Sequence, residues 1–124
     1  MIREIAIVAA GGAIGAVARY GLSGWLARHA AHFPLGTLVV NVLGCLAIGV
    51  LMTLSEGRGG VSANAKLFIA VGLLGAFTTF STFGYETFAL VRRGEHLLAL
   101  ASVAGNVLLG LGAVVAGRAL ARAM

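Results

Sequence analysis

The sequence predicts an all-α integral membrane protein with four transmembrane helices per chain. Three observations carry this. Of 124 residues, 60% are hydrophobic and only 10% charged, whereas a soluble domain is about half apolar and about a quarter charged. Mean hydropathy is +1.01, which leaves too little polar surface for water. Four apolar runs each approach the roughly 20 residues that cross a bilayer as helix, and none alternates in polarity as a strand would. The chain is read as one domain, with spans at about 5–26, 35–54, 66–91 and 97–120 and short links at 27–34, 55–65 and 92–96.

The first span follows Met1-Ile-Arg-Glu-Ile5, a start that resembles the charged end of a signal peptide. The apolar run continues past Arg19 and three more follow, so it is read as an uncleaved span. Gly11 with Gly15, and Gly12 with Ala16, are small residues four apart that mark close helix contact. No strand precedes them, which excludes a dinucleotide-binding turn. Arg19 either snorkels to headgroups or draws an anion toward a polar path. Trp25 is expected to anchor at the interface.

The second span begins at Pro34, a residue suited to a helix entry. Thr37 and Asn41 lie four apart on one face. An asparagine amide here is either an interhelical hydrogen bond or a donor for a dehydrated anion, with two N–H groups and one acceptor to offer. Cys45 has no disulfide partner and no metal-ligand spacing around it, so it reads as a small packing residue. Gly57, Gly59 and Gly60 mark the following link as a loop.

The third span is the unusual one. Thr78, Thr79, Ser81 and Thr82 place four hydroxyls within five residues of an apolar run, and Phe77, Phe80 and Phe83 recur every third residue. Aromatic rings have a positive edge, so Phe80 and Phe83 either pack between helices or receive an anion edge-on beside Thr79, Ser81 and Thr82. Gly75 and the adjacent β-branched threonines weaken a helix, predicting that the third helix is broken near its middle. Carbonyls freed there, at Gly75 and Thr78, are candidates to hold a small cation. Glu86 is an acid inside a span, where charge is costly. It is read as a proton-coupled carboxylate, an ion-pair partner for Arg19, or a hydrogen-bond anchor.

The fourth span carries Ser102 and Asn106, again four apart, which extend a polar track or pair with neighbouring helices. Gly105, Gly110, Gly112 and Gly117 read as packing. His29, His32 and His96 fall in links without metal-site spacing.

Basic residues flank the spans, as expected where a chain meets phospholipid, and net charge +5 therefore indicates a membrane surface and no nucleic acid. Arg3, Arg58, Lys66, Arg118 and Arg122 fall on one side, and Arg28, Arg92 and Arg93 on the other. So small a bias sets orientation weakly. Insertion both ways would allow an antiparallel dimer with two-fold symmetry in the membrane plane.

Three stretches together resemble the Fluc/CrcB fluoride channels: Gly11-Gly-Ala-Ile-Gly-Ala-Val-Ala-Arg-Tyr20, Gly36-Thr-Leu-Val-Val-Asn-Val-Leu-Gly44, and Gly75-Ala-Phe-Thr-Thr-Phe-Ser-Thr-Phe83 with Glu86. The resemblance implies a dual-topology antiparallel homodimer in the cell (inner) membrane, with two pores giving passive, selective fluoride export that reduces fluoride toxicity. It implies that Phe80 and Phe83 line the pore with Asn41. Arg19 would stand in a vestibule, and Thr79, Ser81, Thr82 and Glu86 on or beside a polar track. Gly75 and Thr78 would hold a structural sodium ion through backbone carbonyls at the dimer interface. The family's fourth helix often carries a pore-facing tyrosine; this one has none, and Ser102 occupies that region. No nucleophile with its base, metal cluster or cofactor motif suggests an enzyme. The alternatives are a small proton-coupled multidrug exporter using Glu86, and a structural membrane subunit.

Overall fold

The computed structural model describes residues 1–57 and 60–124. Arg58 and Gly59, both in the second link, lie outside the described residues. The architecture is helical throughout, with no strand among the described residues. It consists of α1 (Ile2–Ala27), α2 (Leu35–Glu56), α3 (residues 63–77), α4 (Phe80–Arg92) and α5 (His96–Ala123). Four helical segments are long and apolar enough to cross a membrane, the third being α3 and α4 together as Ala63–Arg92.

The ends of these helices follow from their residues. Pro34 stands at the N-terminus of α2, where its missing N–H costs nothing. Ser62 starts α3 by accepting from the Ala65 N–H at 3.2 Å, a side-chain cap for an otherwise orphaned donor. Gly94 turns the chain between α4 and α5 at φ 76°, a conformation that a side chain would strain. An Arg93–Glu95 ion pair (3.2 Å) spans the same turn.

α1 packs on α3, α2 on the C-terminal half of α5, and α4 on the N-terminal half of α5. Lipid offers no hydrophobic gain for helix association, so close backbone contact has to supply it. The contacts are accordingly built on glycine. A Cβ placed at Gly15 would stand 2.1 Å from the Leu73 carbonyl oxygen, and one at Gly117 2.3 Å from that of Leu46. Gly117→Ala is therefore expected to destabilise the fold by about 1–3 kcal/mol, as overpacking does. Gly21→Ala, with nothing within 4 Å of its added Cβ, should cost nothing and raise stability by up to about 1 kcal/mol through helix propensity. Denaturant titration of both variants in detergent checks the pair.

Two stretches, Leu67–Leu74 in α3 and Gly105–Leu109 in α5, adopt the wider π-helical turn, which concentrates at functional sites. Between α3 and α4 two residues leave helical geometry altogether. Thr78 lies at φ −86°, ψ 156° and Thr79 at φ −149°, ψ 115°, both extended backbone.

Candidate functional site

Two extended residues in the middle of a membrane span pose a hydrogen-bonding problem, because polar backbone groups cannot turn to water there. The structure meets it with side chains. The Thr79 N–H, which a continuous helix would direct to the Gly75 carbonyl, donates instead to Asn41 Oδ1 at 2.8 Å. Asn41 Nδ2 donates back to the Thr79 carbonyl at 3.2 Å. One asparagine thus grips both polar groups of one residue, as a neighbouring strand would. Gly44, three residues on along α2, leaves room for the Thr78 methyl: a Cβ there would stand 2.1 Å from Thr78 Cγ2.

The Thr79 side chain begins α4. Its Oγ1 accepts from the Thr82 N–H at 3.3 Å and donates to Thr82 Oγ1 at 3.0 Å, capping the helix. Ser81 Oγ lies 3.5 Å from the same oxygen. Thr78 Oγ1 donates to the Leu74 carbonyl at 2.9 Å, closing the end of α3. Arg19 reaches this end from α1, its Nε donating to the Ala76 carbonyl at 3.0 Å, and a cation is favoured at a helix C-terminus. The ion pairs among the described residues are Met1–Glu4 and Arg93–Glu95. Arg19 is therefore tied to α3 and forms no ion pair with Glu86, one of the three roles the sequence allowed that acid.

α5 adds a second layer. Asn41 Nδ2 donates to Asn106 Oδ1 at 2.8 Å, and Asn106 Nδ2 to the Ser102 carbonyl at 2.9 Å. Ser102 is fully buried, its hydroxyl 2.9 Å from that of Thr87 on α4. A line of hydrogen bonds therefore joins α4, α5, α2 and the extended residues.

Against this polar line stand the phenylalanines. The Phe80 and Phe83 rings meet edge to face, with centroids 5.5 Å apart and an interplanar angle of 61°. Phe80 projects from the chain, 83% exposed. Both border a recess of about 400 Å³ together with Asn41, Thr78, Thr79 and Asn106. Gly75 borders it as well. A second recess, about 580 Å³, is bordered by Thr37, Thr82, Tyr85, Glu86 and Arg93. The Thr79–Thr82 hydroxyl bond joins the two. Glu86 Oε2 is buried beside the second recess with no hydrogen-bond partner among the described residues.

A sequence model of the family described as "CrcB-like protein, Camphor Resistance (CrcB)" matches residues 6–118. The chain belongs to the CrcB family. A Chloroflexus aurantiacus relative named as a fluoride-specific ion channel is 47% identical over 122 residues, covering 98% of this chain and 97% of its own. A Paracoccus denitrificans protein of the same name is 48% identical, covering 94% of this chain and 93% of its own. One from Methanosarcina acetivorans, also so named, is 44% identical over 92% of this chain and 87% of its own. In this CrcB-family chain, matching thus runs through every span.

The structure brings Asn41, Thr79, Phe80, Phe83 and Asn106 to one recess, and Thr37, Thr82 and Glu86 to the other. Ser102 sits behind the first. The sequence reading gave Thr87 no mention and Gly44 no role beyond closing the Gly36–Gly44 stretch. Gly44 carried a signal, standing three residues from Asn41 on one face; Thr87 carried only its hydroxyl in an apolar run.

Proposed function

We propose that this chain forms a fluoride-selective channel for passive export of fluoride across the cell (inner) membrane. Full-length similarity to proteins named as fluoride-specific ion channels is the observation that carries it. The geometry supplies the chemistry. A stripped anion needs substitutes for its water, and the first recess offers phenyl edges, positive at the rim, beside amide and hydroxyl groups. None of these is a fixed charge, so an ion held there is free to leave.

The two extended residues between α3 and α4 support reading the third helix as broken there, and they suit a structural sodium ion. Thr79 and Thr82 have given their N–H groups to side-chain oxygens, so the Gly75 and Thr78 carbonyls lose the donors a helix would give them. These are the two oxygens that would hold the ion; its positive charge would favour an anion nearby. An antiparallel homodimer would cover the outward Phe80 and the exposed apolar side chains of the helices. A C-terminal reporter should then appear on both sides of the membrane, and one-sided labelling would defeat the dual topology.

The exporter alternative finds no support in the named relatives. Liposomes carrying the purified protein separate the two. The channel releases fluoride when a potassium ionophore is added and retains chloride; release that waits for a proton gradient would overturn the proposal.

A further inference from the structure

The C-terminal half of α5 has two unlike faces. Gly110, Gly117 and Ala121 are buried, on the side that packs on α2. Leu108, Leu111 and Val115 lie on another side and are exposed. Steps of three and four residues carry that same face on to Arg118 and Arg122, both exposed. An apolar stripe of about 10 Å thus ends in two guanidinium groups one turn apart. Neither is neutralised. The ion pairs among the described residues are Met1–Glu4 and Arg93–Glu95, and Glu56, which ends the neighbouring α2, pairs with neither arginine. Like charges four residues apart on a helix repel. The C-terminus of α5 answers only about half a charge, and the rest calls for an anion at the edge of the bilayer.

We propose that this face of α5 binds an anionic phospholipid, with its acyl chains along Leu108, Leu111 and Val115 and its phosphate held between Arg118 and Arg122. Guanidinium forks match phosphate oxygens, and basic residues beside a membrane span draw anionic headgroups. A second copy of the chain laid over this face would bury both cations without a partner, which is costly. Lipid lets them stay at the headgroup level while the stripe meets hydrocarbon. The site is independent of what the chain conducts.

Trp25 is the single tryptophan, so a Trp25→Phe, Val115→Trp chain carries its emission on this face alone. Bromine on an acyl chain quenches that emission on contact. The whole protein is reconstituted in vesicles of brominated phosphatidylglycerol with plain phosphatidylcholine, and in the reverse mixture, to give a relative binding constant. Phosphatidylglycerol should be favoured by about fivefold or more, the scale of one arginine at an anionic surface. Adding Arg118→Gln and Arg122→Gln should bring the ratio to about one while quenching itself persists. Equal quenching by the two lipids with both arginines present, or a preference that survives their loss, would overturn the proposal. Emission that neither lipid quenches would overturn it too, and would assign the face to a second copy. Leu111→Trp on the same Trp25→Phe background reads the face one turn away, so a misfolded first variant leaves the test standing.

Discussion

Asn41→Ala is expected to abolish fluoride flux and to lower stability together. The substitution removes the acceptor for the Thr79 N–H and the donor to its carbonyl. Each polar group left buried without a partner costs about 1–3 kcal/mol, and in a membrane span neither can recover it from water. The extended residues would have to rebuild, and with them the start of α4 and the phenylalanine pair. Asn41→Asp is the informative companion, because it keeps the acceptor for the Thr79 N–H and loses the donors. An ionised carboxyl there would face the Thr79 and Asn106 oxygens inside a span, where charge is costly, so Asn41→Asp should be the less stable of the two variants. Efflux read with a fluoride electrode and denaturant titration in detergent check both. An alanine variant with ordinary stability and flux would show that Thr79 needs no grip.

The second large effect is expected at the rings. Phe80→Ile and Phe83→Ile retain bulk and remove the positive edge. A desolvated ion–quadrupole contact is worth about 2 kcal/mol, and that amount in a barrier is about 30-fold in rate. Each variant should slow fluoride efflux by about that factor. Phe80, 83% exposed, makes few packing contacts within its own chain, so its replacement should leave monomer stability alone. Flux that tracks stability in both variants, with no separate loss, would assign the rings to packing.

Four membrane helices were legible because hydropathy is additive along the chain and requires no partner. The polar run at Thr78–Thr82 was legible as an anomaly, since hydroxyls in lipid demand an explanation. Asn41 was visible as a polar residue in oil, but its partner was not: Thr79 lies 38 positions away, and no local pattern encodes that pairing. The same holds for Arg19, which sequence balanced between headgroups, an anion path and Glu86. Its contact with the Ala76 carbonyl depends on α1 lying against α3, which Gly11 and Gly15 permit through tight backbone approach. Thr87 and Ser102 show the limit most clearly. Each is one hydroxyl in an apolar helix, and only the packing of α4 on α5 makes them a pair.

The reversal potential of the reconstituted protein in a planar bilayer tests the central claim most directly. Under a tenfold fluoride gradient, with chloride and pH equal on both sides, current should reverse about 59 mV from zero, the Nernst value for one charge. It should stay there when a chloride or proton gradient is added. A reversal that follows chloride or pH would contradict a selective path past the Phe80 and Phe83 rims.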